Sequence, residues 1–119
     1  MRAFVLRLAA ICAAAMLTTP AARPAHAQDI KTRFMVYCAR CHGEGGQGDG
    51  ADGASLAVKP RDFSNCALMS KIPDATIINA IKNGGASVGV SKDMPAWGEG
   101  LNDQQIHDLA TYVRSFCKK

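Results

Sequence analysis

Cys38-Ala39-Arg40-Cys41-His42 is the stretch on which the reading of this chain turns. Two thiols three positions apart lie on one face of a helix, and the imidazole one residue on sits beside them. Ile30, Phe34, Tyr37, Cys38 and Cys41 recur every three or four positions, so the sequence predicts a helix from Asp29 to Cys41. Residues 43 to 53 then hold six glycines in eleven positions, which ends any regular element and leaves a loop able to bend closely around something.

Three chemistries use such a pair. A thioredoxin-like redox pair expects a strand before it and a long helix after it; here a helical stripe precedes and glycines follow. A zinc site would need a further ligand such as His107 at an unusual spacing. What remains is Cys-x-x-Cys-His as the attachment signature of haem c. The thiols of Cys38 and Cys41 add to the two vinyl groups along one porphyrin edge, and His42 turns a ring nitrogen to the iron.

A sixth iron ligand has to come from well along the chain. Met94 is the candidate: it sits in a non-helical segment, Met94-Pro95-Ala96-Trp97-Gly98, where Pro95 stiffens the backbone and Trp97 suits a loop lying across an apolar cofactor face. Met69, in another irregular stretch, is its competitor. Met35 reads as core filler, and His107 points off the apolar stripe of its helix.

The beginning of the sequence reads as an export signal over residues 1–27: Arg2 and Arg7, an apolar run from Leu8 to Leu17, then Ala25-His26-Ala27 as the cleavage site. That run is too short for a membrane span, which needs roughly 20 residues. Residues 28–119 are then one small domain, too small to be comfortably stable without a cofactor or cross-link. The signal takes Arg2, Arg7 and Arg23 and no acid from 14 basic and 10 acidic residues, leaving 11 against 10, a net charge of +1 instead of +4. So even a balance argues against a nucleic-acid partner or a membrane-surface binder.

Asp74 to Lys82 carries Ile77, Ile78 and Ile81 on one stripe and stops at Asn83-Gly84-Gly85, a short helix. Asn102 and Gln105 form a capping box for a final helix with the stripe Ile106, Leu109, Ala110, Val113 and Phe116. No stretch sustains strand alternation, and residues 43 to about 73 read as loop. The fold class is all-α, three to four short helices around the haem. Cys66 and Cys117 are either a disulfide, favoured by an oxidising exported setting, or two separate thiols.

In this order of elements (CARCH, a glycine-rich loop, DATIINAIKNGG, MPAWG and LNDQQIHDLATYVRSF) the region after the signal resembles class I cytochrome c. The resemblance implies a haem in a crevice between loops, with the first and last helices crossed closely at small residues, for which Ala39 and Ala110 are the candidates. In many relatives a Gly-Pro carbonyl accepts the proton on the second nitrogen of the haem histidine. Here Gly50 is followed by Ala51, so the residue that supplies this carbonyl is open. Arg61 is placed either to pair with a haem propionate or to stay solvated.

The function expected is that of an exported, periplasmic monohaem one-electron carrier with His42 and Met94 on the iron, not an enzyme, monomeric and without a membrane span once the signal is removed. Its partners are redox proteins, a dehydrogenase or reductase as donor and an oxidase or other acceptor. Two alternatives stand beside it: a haem enzyme or gas-binding protein with an open iron site, and a dedicated subunit of one dehydrogenase or oxidase.

Overall fold

The computed structural model describes residues 25–117, with side chains from Asp29 onward; residues 1–24 of the expected export signal lie outside the described residues. The described elements are helices: α1 Ala25–Tyr37, α2 Ala39–His42, α3 Cys66–Met69, α4 Asp74–Asn83 and α5 Asp103–Ser115, with single 3₁₀ turns at Gly53–Ser55 and Gly85–Val88. No strand occurs among the described residues.

α5 forms where its sequence signals place it. The Asn102 side chain accepts from the Gln105 N–H at 2.9 Å, and the Gln105 side chain accepts from the Asn102 N–H at 2.9 Å, closing the capping box. Its stripe of Ile106, Leu109, Ala110 and Val113 is buried. α4 begins after Pro73, carries Asp74 in its first turn and Lys82 in its last, and stops where Gly84 takes a φ of 86°, a conformation that a side chain would strain.

α1 crosses α5 through Phe34, which is fully buried with its ring centroid 5.2 Å from those of both Tyr112 and Phe116. Truncating a buried aromatic of this kind costs about 3–5 kcal/mol. Ala39 and Ala110 are both buried, but Ala39 belongs to α2 and not to the α1 that crosses α5. α4 is fixed beside α5 by two ion pairs, Lys82 with Asp103 and Arg114 with Asp74, each at 2.7 Å. The core thus lies between α1, α4 and α5, and one face of it is left to line a cavity.

Two expectations from the sequence need correction. The helix over Asp29–Cys41 is two helices: the backbone at Cys38, with φ −118°, departs from helical geometry. Both Cys41 and His42 then donate to the Cys38 carbonyl, at 3.2 and 2.9 Å, so a new tight turn starts inside the motif. The long loop before Pro73 also contains α3, nucleated by Asn65, whose side-chain oxygen accepts from the Leu68 N–H at 3.1 Å.

Candidate functional site

α2 is only four residues long, so something outside it must hold it. The glycine-rich loop does so by folding back over the end of the helix. Gly48 donates to the His42 carbonyl at 2.7 Å, Gly50 to Cys41 at 3.1 Å and Asp52 to Arg40 at 2.9 Å, which satisfies carbonyls that a helix end leaves open. Gly50 has to be glycine: a β-carbon there would run into the carbonyl oxygens of Ala39 and Arg40. Arg40 adds an ion pair to Asp52 at 2.8 Å.

On this support the motif faces a cavity of about 550 Å³, the size range of a small-molecule or cofactor site. Cys38, Cys41 and His42 line it together, and neither thiol is in a disulfide. Burial first, and then the neighbouring Cys41, pushes the Cys38 thiol up to about 12, so it stays protonated. Burial also lowers the His42 pKa, against the opposing effect of a hydrogen bond to the Arg61 carbonyl; the Arg61 charge lowers it further.

That hydrogen bond fixes which nitrogen is free. His42 Nδ1 lies 3.2 Å from the Arg61 carbonyl oxygen, and a neutral ring donating there keeps its lone pair on Nε2. The carbonyl left open between Gly50 and its neighbours in sequence therefore belongs to Arg61, while Ala51 is exposed. Phe63, two residues on, stacks on the His42 ring with centroids 4.3 Å apart and planes 18° from parallel. Nothing in the sequence pattern singled out Phe63.

The other candidate donors come from separate segments. Met94 and Met69 both line the cavity, but Met69 is fully buried in the core with Phe34, Ile106 and Leu109, whereas Met94 is half-buried in an irregular loop. The loop is pinned to the end of α4 by backbone bonds: Trp97 N–H to Ile81 carbonyl and Gly98 N–H to Lys82 carbonyl, both 2.9 Å, and Gly85 N–H to Met94 carbonyl at 3.0 Å. Again the open carbonyls of a helix end are met by a loop. Trp97 packs its ring 5.0 Å from Tyr37, closing this wall against α1. His107 is exposed on α5 and lies outside the cavity.

Arg114 was not singled out from sequence either. Its guanidinium donates to the carbonyls of Met69 and Ile72 and to Asp74, and so ties the chain between α3 and α4 to α5. Cys66 and Cys117 are brought together with Cα atoms 5.2 Å apart, within the separation that a disulfide spans. Among the described residues no group of three or more His, Cys, Asp and Glu side chains is arranged as a metal site.

A largely apolar cavity lined by two cysteines outside any disulfide and by an imidazole whose Nδ1 is engaged by a carbonyl is the equipment of a c-type haem protein. Comparison with known proteins agrees. Residues 25–113 match the family described as cytochrome c oxidase, cbb3-type, subunit III, and the chain belongs to this family of c-type cytochromes. A cbb3-type cytochrome c oxidase subunit CcoP of Azospirillum brasilense is 37% identical over 91 residues, covering 76% of this chain and 28% of the relative. A cytochrome c6 of Rippkaea orientalis is 32% identical over 99 residues, covering 83% of this chain and 78% of the relative. The solved structure of the KustC0563 c-type cytochrome superposes with a TM-score of 0.57 at 26% identity, covering 74% of this chain and 96% of the other.

The chain spans about a quarter of the length of the oxidase-subunit relatives it matches. The fold is that of class I cytochrome c, and the cofactor is covalently bound haem c. The residues present fit it: the cavity is of sufficient size, mostly apolar, and carries the attachment motif on its wall. No described helix is long and apolar enough to cross a membrane.

Proposed function

We propose that residues 28–119 act as an exported, periplasmic monohaem domain that carries single electrons between redox proteins of a respiratory or related chain, residues 1–27 serving as its signal. That the protein is an electron-transferring cytochrome follows from its family; the free, exported carrier and its partners are the proposal. Cys38 and Cys41 would hold the cofactor by thioether bonds, and His42 and Met94 would hold its iron. Haem c, when bound, supplies the one-electron iron couple.

The chain's own residues do the rest. The Arg61 carbonyl keeps the His42 ring in one tautomer and one orientation. The three backbone bonds between the Met94 loop and the end of α4 limit how far the thioether can move when the charge in the cavity changes. The mostly apolar walls, together with a thioether donor, would favour the reduced state. A donor would be a dehydrogenase or reductase, and the acceptor an oxidase or another protein of higher potential. Cys66 and Cys117 we read as a disulfide, worth on the order of 4 kcal/mol for a loop of about 50 residues.

The observation that carries this reading is the lining of one cavity by Cys38, Cys41, His42 and Met94 together. Absorption spectra of the matured protein in both oxidation states test it: a haem c spectrum with a sulfur-to-iron band is expected, along with refusal of carbon monoxide by the reduced form. Rapid carbon monoxide binding would replace the carrier with a protein of open iron site. A second reading, a subunit of a terminal oxidase, is favoured by the CcoP relatives. Recovery of the tagged protein in a stable stoichiometric complex with oxidase subunits would select it over a free carrier.

A further inference from the structure

The segment Arg61–Cys66 is the part of the cavity wall that touches His42, and it contains no helix before α3. Two of its groups act on the imidazole directly: the Arg61 carbonyl accepts from Nδ1, and the Phe63 ring lies flat on it. Phe63 is buried, and its ring centroid lies 6.2 Å from that of Phe116. Its N–H donates to the Gly46 carbonyl at 2.6 Å, while Asp62 folds the next turn by accepting from both the N–H and the hydroxyl of Ser64.

The far end of this segment is held by Cys66 against Cys117, just past the end of α5. The Cys117 sulfur itself lies 3.1 Å from the Phe63 carbonyl oxygen. A line of contacts therefore runs from the end of α5 through the paired cysteines to Phe63 and so to the ring of His42. Segments without regular structure open locally far more easily than the core does. A cross-link at one end restricts that freedom.

We propose that the Cys66–Cys117 cross-link and Phe63 together form a positioning device for His42, holding the ring orientation and the Nδ1–H bond to the Arg61 carbonyl. This rests on the reading of His42 as haem ligand and of the two cysteines as a disulfide. The cross-link acts through Phe63, so neither touches the cofactor as a ligand. Its effect is to narrow the orientations open to the imidazole, which tunes the electron-donating strength of a ligand that is hydrogen-bonded on its other nitrogen.

The experiment compares haem-loaded wild type, C66S/C117S, F63L and the triple variant by NMR, reading hydrogen exchange of the His42 Nδ1 proton, together with the reduction potential. Thiol labelling and mass of the wild type first establish the disulfide and the attached haem, so a failure of either underlying reading is seen separately. Faster exchange of the Nδ1 proton is expected in C66S/C117S and in F63L, with a shifted potential in each, since outer partners orient a ligand and set its basicity. The triple variant should add little to either, because both changes remove the same restraint. Should C66S/C117S melt earlier yet keep the wild-type exchange rate and potential, the link is a staple only and the proposal is overturned. If the cysteine variant does not fold, F63L alone decides: an unchanged Nδ1 proton and potential there overturn the proposal equally.

Discussion

The two walls of the cavity are built on different plans. The attachment wall takes Cys38, Cys41 and His42 from five consecutive residues, and most of its supports lie within the next 21, in the glycine-rich loop and at Arg61 and Phe63. The Met94 wall owes its place to α4, because the loop from Met94 to Gly98 hangs on the carbonyls and glycines at the end of that helix. On the proposed reading, the attachment chemistry is thus encoded locally, and the second iron donor is placed by tertiary structure. The difference teaches that the two walls should fail separately.

Replacing both Cys38 and Cys41 by alanine is expected to have the largest effect: no covalent haem, with any pigment extractable by acidified organic solvent, and a domain that melts far earlier for want of the group filling about 550 Å³ of its interior. Met94→Ala should leave the haem attached and change its state instead. The sulfur-to-iron band disappears, the reduction potential falls, and the reduced protein gains carbon monoxide binding; a persisting band would move the ligand to Met69.

Gly85→Ala sharpens the contrast. A β-carbon there would collide with the Ser91 carbonyl oxygen and press on the Met94 side chain. Overpacking of this kind costs about 1–3 kcal/mol, and the sulfur band should weaken while haem content stays at one per chain. An equal loss of attached haem would show that the walls are not independent.

The smallest effect concerns α4 and α5. Asp103 has its pKa lowered by the hydrogen bond from Lys82, then by the charge of Lys82, with His107 adding a little. A depressed carboxylate contributes stability above its unfolded pKa and loses that contribution as pH falls through the folded value. Asp103→Asn should therefore reduce the melting temperature slightly near neutral pH, and the difference from wild type should vanish in acid below the ordinary aspartate range.

Much of this was legible in the sequence, for reasons that differ by residue. Cys38, Cys41 and His42 could be singled out because their motif depends on spacing alone, and the structure lines one cavity with all three. Asn102 and Gln105 declared the start of α5 because a capping box is local. The stripes of α4 and α5 and the non-helical setting of Met94 were likewise written within short windows. What escaped reading is non-local. The break at Cys38 depends on the loop returning to meet the carbonyls of α2. The partner of His42 is 19 residues away at Arg61, where a resemblance pointed attention to the neighbourhood of Gly50. Arg114 reaches across 40 residues to Asp74, and no window of sequence shows such a contact.

The short reach of the bonds around α2 bears on the order in which the molecule comes together. Gly48, Gly50 and Asp52 close on the carbonyls of residues 40 to 42 across small stretches of chain, and small loops close quickly. These bonds around the motif can therefore close early, whereas the orientation of the His42 ring waits on Phe63 and on the far end of α5.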